Sequence, residues 1–176
     1  MTAVANDFDN NAEGGITSKN SVVQFDRANT ATAYEAGDVI SDQASIDTGA
    51  NALQFKNVGK GGRLDHAMVC MEEDDTANLE LWVFDSEPTG QVDNVALALV
   101  AADMAKLVCV YSFADAAKKS GGGFQAYVAT LDTEGANIKL YCCAAGETLW
   151  GLLVTRSAFT PTASGQFTVS LEVQAD

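Results

Sequence analysis

The sequence predicts an all-β protein, an antiparallel β-sandwich or a barrel, that carries one short helical segment and an extended N-terminal arm. Roughly eight to ten short segments rich in β-branched and aromatic residues follow one another along the chain, as in sandwich proteins. Clusters of Gly, Asn, Asp and Ser separate these segments and are typical of turns. Because helical patterns do not alternate with the strands, we do not expect βαβ units or a parallel sheet.

Length and composition divide the chain into an arm and one domain. Of the 176 residues, 47% are hydrophobic, which is enough for a single core. Residues 1–20 are rich in Asn, Asp, Gly, Ser and Thr and have few large apolar side chains, so they cannot form a core of their own. We therefore predict an extended arm over residues 1–20 and one sandwich domain over residues 21–176.

The segment LELWVFDSEPTGQVDN, Leu79 to Asn94, begins as a strand with bulky side chains on both faces. Side chains alternate across a strand, so the two leucines and Val83 share one face, while Trp82 and Phe84 share the other. Tryptophan and phenylalanine are costly to leave in water, so the second face is expected to lie in the core or against another subunit. Pro88 and the glycine that follows it predict a sharp corner after the strand.

A helical turn and two strands are predicted after this corner. Asp93, together with Asn94, is expected to cap the N-terminus of the turn. Residues 98–106 are alanine-rich and lack Gly and Pro, which favours one or two helical turns leading into a strand over residues 107–113. The last apolar segment, QFTVSLEVQ, alternates cleanly and predicts a strand with one buried face.

Charge is the strongest compositional signal. The chain carries 24 acidic and 10 basic side chains, a formal net charge of −14 and a pI near 4.2. Such a surface repels phosphate groups, so neither nucleic acid nor an anionic membrane is an expected partner. No apolar run is long enough to span a bilayer, and the N-terminus lacks the basic and apolar regions of a signal peptide. We therefore expect neither a membrane protein nor a protein secreted by that route.

The four cysteines do not predict a metal or redox centre. Cys70, Cys109, Cys142 and Cys143 lack CxxC spacing, and the adjacent pair would point to opposite faces of a strand. We expect reduced thiols that act as small core side chains, which fits folding in a reducing cytoplasm.

The chain lacks the residues of common catalytic centres. His66, the only histidine, shares a strand face with Met68 and Cys70, where a packed or interface histidine is expected rather than a general base. One histidine and scattered cysteines do not make the usual metal-binding sets. Acidic pairs such as Asp85 with Asp93 are better explained as turn residues, although sequence spacing does not reveal the separation on which a glycosidase depends. We predict a protein that is not an enzyme and has no cofactor.

Two acidic clusters imitate cation-binding loops. Asp7, Asp9 and Asn11 match the start of an EF-hand loop, but Ala12 stands where that loop needs a glycine. The second cluster, residues 72–75, has the sequence of an ordinary solvated loop. Neither cluster predicts a metal site.

Five aromatic residues allow an alternative interpretation, a carbohydrate-binding sandwich, because exposed aromatic rings stack on sugars. These residues are Trp82, Tyr111, Tyr127, Tyr141 and Trp150. Each lies in an alternating apolar segment, so burial in the core is the stronger expectation.

The order of the segments resembles that of a group of tailed-bacteriophage virion proteins. That group shows a strand ending in LFxxxP, a short turn, a DNA or DNx tripeptide, an aspartate-containing helical turn and then a hydrophobic strand. The matching positions in this chain are Val83 and Phe84, Pro88, Asp93 and Asn94, and Asp103. The resemblance covers residues 33–176 and leaves the N-terminal arm outside it.

The resemblance implies a jelly-roll-like sandwich that attaches to the outside of an assembled phage head as a decoration or cement protein. The implied partners are the major capsid protein and further copies of this chain in a homotrimer. The implied location is the outer capsid surface of a virion assembled in the host cytoplasm. An acidic surface suits the exterior of a particle rather than a lining that faces DNA, and an extended arm suits contacts across neighbouring subunits.

Capsid or trimer contacts are expected in the arm and in two loops, residues 86–94 and 118–123. The candidate interface residues are Asp7, Phe8, Asp9, Ile16, Trp82, Phe84, Pro88 and Gln91. Two alternatives stay open. One is a tail, baseplate or head-fibre component, and the other is the carbohydrate-binding module.

Overall fold

The computed structural model describes residues 4–5, 17–27, 32–42, 52–71, 77–114, 119–121, 124–130, 139–143, 146–161 and 165–175. These residues form twelve β-strands and one short α-helix. In chain order the elements are β1 (Val4–Ala5), β2 (Thr17–Asp26), β3 (Val39–Ile40), β4 (Leu53–Lys56), β5 (Gly61–Met71), β6 (Leu79–Phe84), α1 (Ala101–Met104), β7 (Leu107–Phe113), β8 (Lys119–Gly121), β9 (Phe124–Thr130), β10 (Lys139–Cys142), β11 (Thr148–Thr155) and β12 (Gln166–Ala175).

The strands form two antiparallel sheets, which confirms the predicted sandwich. The first sheet has the order β1-β2-β12-β5-β9-β8, with β10 also paired to β5. The second has the order β3-β11-β6-β7, with β4 also paired to β11. The central strands are therefore β2-β12-β5-β9 in one sheet and β3-β11-β6-β7 in the other. A chain that passes between two four-stranded sheets in this order has the connectivity of a jelly roll, which is a double Greek key.

The first sheet includes part of the predicted arm. β2 begins at Thr17, which lies opposite Ala175 of β12. The boundary predicted after residue 20 therefore falls inside β2. β1 adds to the free edge of β2, with Val4 opposite Val22. The other arm residues before Thr17 lie outside the described residues.

The main core fills the space between the two sheets. It includes the side chains of Tyr111, Tyr127 and Tyr141, as the alternation of apolar residues predicted. Phe25 of β2 and Phe167 of β12 lie opposite each other and stack with their ring centroids 5.5 Å apart. Burial of this apolar surface is the main force that holds the two sheets together.

A second, smaller apolar cluster lies on the outer face of the second sheet. Val83 and the leucines of β6 point into the main core, whereas Phe84 is buried on the opposite face against Leu152. Trp82 and Trp150 are half-buried and pack against the same cluster. The chain's own residues therefore cover much of the second face of this two-sided strand.

The predicted short helical segment is confirmed: within residues 98–106 the helix covers Ala101–Met104, about one turn. Residues 94–97 precede the helix and hydrogen-bond through their backbone to residues 37–39, with Asn94 in the left-handed region at φ 56°. Val100 is the N-cap residue, so the expectation that Asp93 caps this helix is wrong. No helix among the described residues is long and apolar enough to cross a membrane.

The four cysteines are free thiols that differ in exposure. Cys109 is buried as predicted, but Cys142 is exposed, so the expectation of four core side chains is wrong there. Burial raises the pKa of the half-buried Cys70. Burial, followed by nearby negative groups, raises the pKa of Cys143 to about 11, so this thiol stays protonated near neutral pH.

Candidate interaction surface

The β6–β7 connection, residues 85–106, is the segment that carries the candidate site. Its ends meet where the Asp85 N–H donates to the Lys106 carbonyl at 3.0 Å. Between them the chain runs to the far edge of the second sheet, where the Asn94 N–H donates to the Val39 carbonyl at 2.9 Å. The Val39 N–H in turn donates to the Val95 carbonyl at 3.0 Å. The connection therefore crosses the outer face of the second sheet and extends that sheet beyond β3.

A buried polar cluster around Asp93 anchors the first half of the connection. The Asp93 carboxylate accepts hydrogen bonds from the Tyr34 hydroxyl at 2.5 Å and from the Ser41 N–H at 3.0 Å. The Arg27 guanidinium lies 3.5 Å from its second oxygen, and both side chains of this ion pair are almost fully buried. These contacts join the ends of β2 and β3 to the connection. They also explain why Asp93 is not available as a helix cap.

Tyr34 keeps its proton in this cluster. Burial raises the pKa of the Tyr34 hydroxyl, and the hydrogen bond to the Asp93 carboxylate raises it further. The Arg27 guanidinium lies over the Tyr34 ring, 4.8 Å from its centroid, in a cation–π contact. The hydroxyl is thus a permanent donor, and the cluster is a structural anchor whose charges are matched.

The second half of the connection is shaped around Asp103, whose side chain is also buried. Its carboxylate accepts hydrogen bonds from the Thr89 N–H at 2.9 Å and the Val100 N–H at 3.2 Å. The Lys106 ammonium lies 3.4 Å away. Burial acts to raise the pKa of Asp103, but these donors outweigh it, so the pKa is lowered overall. A stable negative charge therefore holds the turn around α1.

Gln91 links the two halves of the connection. Its side-chain oxygen accepts from the Ala98 N–H at 3.1 Å, and its side-chain nitrogen donates to the Thr89 carbonyl at 3.1 Å. The Gln91 amide thus makes the hydrogen bonds to backbone groups that a neighbouring strand would make in a sheet. Gln91 is 7% exposed, because its polar atoms are used inside the chain.

An exposed apolar surface lies on the second half of the connection. Val95 and Val100 are each 51% exposed and Met104 is 48% exposed. Only one other large hydrophobic side chain of the described residues, Leu140, is exposed, and it lies on β10 of the first sheet. We call Val95, Val100 and Met104, which are spread along the second half of the connection, the apolar surface. Large exposed apolar side chains are candidates for contact with another protein.

The apolar surface rests on a firm base. Leu97 and Leu99 alternate with the exposed Ala98 and Val100 and pack on the outer cluster that contains Trp82 and Trp150. Trp150 lies opposite Phe84 and Trp82 opposite Leu152, so the two tryptophans are diagonal neighbours on the sheet. This packing limits the movement of the segment that bears the exposed side chains.

Trp82 also has polar partners at its edge. Its indole N–H donates to the Glu80 carboxylate at 2.9 Å. The Arg156 guanidinium donates to the same carboxylate at 2.6 Å and lies 5.9 Å from the centroid of the Trp82 ring. These contacts fix the orientation of the half-buried ring, and they leave polar groups beside it.

The predicted interface residues are distributed differently from expectation. Asp7, Phe8, Asp9 and Ile16 lie outside the described residues. Phe84, Pro88 and Gln91 are buried within the chain itself, so their side chains are not surface that a partner would contact. Of the eight, Trp82 alone has a described side chain that is partly exposed.

Sequence reasoning missed the three residues of the apolar surface. The available signal was the run VALALV, residues 95–100, in which the half-buried leucines alternate with exposed residues from Ala96 onward. That alternation indicates an extended segment with one face on the sheet, but alanine content favoured a helix over its second part. The loop over residues 118–123 falls partly on β8 and partly outside the described residues.

The side chains that could bind a metal lie on the first sheet, away from the β6–β7 connection. Within the described ranges, Asp65, His66 and Glu172 form the one set of three ligating side chains close enough to share an ion. The His66 side chain is 43% exposed and its Nε2 lies 3.1 Å from Glu172 Oε2, so it is a surface residue rather than a packed one.

No family model matches this chain, and no curated protein matches it.

Proposed function

We propose that this chain is a non-enzymatic virion structural protein that binds the outer surface of an assembled phage capsid and stabilises the expanded shell. The observation that carries the proposal is the apolar surface, Val95, Val100 and Met104, exposed on a strongly acidic jelly roll. Exposed side chains on a firm base suit lasting attachment to another protein, because little ordering entropy is lost on binding.

Fold and charge support this assignment. Jelly rolls occur in viral capsid domains and in lectins, so the architecture is compatible with a capsid role without specifying it. A net charge of −14 disfavours contact with packaged DNA and favours the exterior of the particle. The proposed partners are the major capsid protein and two further copies of this chain in a homotrimer.

The proposed mechanism is mechanical. Packaged DNA strains the contacts between capsid subunits, and a protein that binds only the expanded lattice shifts the equilibrium towards that state by mass action. A trimer would attach at several points. Each attachment after the first is effectively intramolecular, so weak single contacts add up to stable decoration.

The first test is the copy number of this chain in purified virions, measured by quantitative mass spectrometry against the major capsid protein. A ratio near unity, or a simple fraction of it, supports decoration. A handful of copies per virion favours a tail, baseplate or head-fibre component, and absence from virions refutes the proposal.

The second test uses binding to expanded capsids that lack the protein. The variant Val95→Thr/Val100→Ser/Met104→Gln makes the apolar surface polar at exposed positions, so the fold should be kept. We expect it to lose capsid binding. Leu140→Gln is the matched control, because Leu140 is 73% exposed but lies on the first sheet. Equal binding by both variants would refute the role of the apolar surface.

One observation favours carbohydrate binding as a second candidate function. Trp82 and Trp150 are neighbours on the outer face of the second sheet, both are half-buried, and the polar groups of Glu80 and Arg156 lie beside them. Rings with one free face and adjacent hydrogen-bonding groups are typical of sugar sites. A glycan array tests this candidate. Binding that Trp150→Ala abolishes, with an unchanged melting temperature, would favour it over decoration.

A further inference from the structure

An irregularity in β5 places two consecutive polar residues on one face of the first sheet. His66 lies opposite Glu172 of β12 and Leu64 lies opposite Val173, so one extra residue, Asp65, stands between these pairs. β5 also changes its other neighbour here, because β9 pairs from His66 onward and β10 pairs up to Leu64. Asp65 therefore belongs to none of the three ladders that β5 forms. This is a β-bulge.

The bulge changes which side chains point outwards. Leu64 and Ala67 both lie in the main core, although they are three positions apart. An unbroken strand would turn His66 inwards, whereas here both Asp65 and His66 lie beside the outward-facing Glu172. The ligand atoms of these three side chains all lie within 4.8 Å of one another, and His66 Nε2 is 3.1 Å from Glu172 Oε2.

Uncharged neighbours hold both carboxylates in place. The Ser18 hydroxyl donates to Glu172 Oε1 at 2.8 Å, which leaves Oε2 towards His66. Gln174 Nε2 donates to Asp65 Oδ2 at 3.4 Å, and the Gln174 oxygen accepts from Arg63. Second-layer hydrogen bonds of this kind orient the ligands of metal sites.

We propose that Asp65, His66 and Glu172 bind a divalent transition-metal ion, with Zn²⁺ as the best match. One imidazole nitrogen and two carboxylate oxygens form a donor set that suits Zn²⁺, whereas Mg²⁺ and Ca²⁺ prefer oxygen ligands alone. Two carboxylates this close to each other carry a double negative charge, which a dication neutralises. The site joins β5 to β12 across the bulge and does not depend on the proposed function.

The site is open to solvent. The His66 and Glu172 side chains are 43% and 30% exposed, so an ion bound by three protein ligands keeps a position for water or for a group from another molecule. The ion would stabilise the folded chain by mass action, because an unfolded chain does not hold the three ligands together.

The test is isothermal titration of the Cys142→Ser chain with Zn²⁺ alone, since the exposed Cys142 thiol is itself a potential zinc ligand. We expect one ion per chain and a melting temperature that rises with Zn²⁺. Both effects should disappear in His66→Ala and in Glu172→Gln. Ser18→Ala, which removes a positioning hydrogen bond, should weaken binding by about 10-fold.

Asp26→Asn is the matched control, because Asp26 is an exposed carboxylate at the far end of β2 on the same sheet. It should bind Zn²⁺ like the parent. Glu172→Gln changes one atom at a partly exposed position, so its fold should be intact even if His66→Ala is perturbed. Absence of binding by the parent, or equal binding by the parent and Glu172→Gln, would overturn the proposal.

Discussion

Two buried aspartates, Asp93 and Asp103, hold the two halves of the β6–β7 connection in different ways. Asp93 bonds to Arg27, Tyr34 and Ser41, which come from distant parts of the chain. The partners of Asp103 all lie inside the connection and its junction with β7. One carboxylate ties the connection to the sandwich, and the other shapes the connection itself.

The two halves of the connection therefore differ in what they contribute: the first half adds to the stability of the fold, and the second half carries the surface proposed to bind a partner. The first half of the connection belongs to the cooperative unit of the jelly roll, because the Asp93 cluster includes residues that end β2 and β3. The second half, which carries the apolar surface, is held by hydrogen bonds within the connection, by backbone pairing of Val95 and Leu97 with residues 37–39 and by the outer apolar cluster. The turn around Asp103 lies outside both sheets, so we expect that turn to open locally at lower cost than the core.

Asp93→Ala should produce the largest effect. It removes the buried carboxylate that pairs with the Arg27 guanidinium and accepts from the Tyr34 hydroxyl. We expect the free energy of unfolding to fall by about 3–5 kcal/mol, measured by urea denaturation. An N-cap would contribute only about 1 kcal/mol.

The exposed Asp26 provides the control for this prediction. Its carboxylate accepts one hydrogen bond, from Gln166 at 3.3 Å, at the surface. Asp26→Ala should change the free energy of unfolding by no more than about 0.5 kcal/mol. Equal losses for the two variants would mean that the Asp93 cluster is not the anchor of the connection.

Asp103→Ala should have a smaller and more local effect. The N–H groups of Thr89 and Val100 lose their acceptor, which costs about 1–3 kcal/mol. In native-state hydrogen exchange, we expect faster exchange within residues 89–104 and unchanged protection in β12. Uniformly faster exchange through the whole domain would show that the two halves unfold together and that Asp103 does not act only within the connection.

Strands with one apolar and one polar face were predictable, because the alternation of residues that defines them lies within the sequence of each strand. In QFTVSLEVQ apolar and polar residues alternate, and the apolar residues are those on the buried face of β12.

The break in β5 is also visible in the sequence. Leu64 and Ala67 are three positions apart, whereas Ala67, Val69 and Met71 keep a spacing of two, so the phase of the buried face changes at Asp65 and His66.

The roles of the aspartates were not predictable from local sequence. An Asp-Asn pair before an alanine-rich run has the signature of an N-cap, and its true partners, Arg27 and Tyr34, lie more than fifty positions away. The course of residues 94–97 likewise depends on pairing with residues 37–39. Both features rest on long-range contacts, which a local sequence pattern does not show.

Asp103→Asn should lower the free energy of unfolding by less than the two alanine variants do, because Asn retains the shape of the side chain. The gap in unfolding free energy between wild type and Asp103→Asn should narrow in acid. The pKa of Asp103 is lowered in the folded chain from an ordinary value of 3.8. A lowered pKa means that the carboxylate adds stability above 3.8 and loses it as the pH falls through the folded-state value. Urea denaturation of both proteins from neutral pH to about pH 3 should show the gap in unfolding free energy narrowing in acid. A gap independent of pH would show that the charge of Asp103 does not hold the second half of the connection in place.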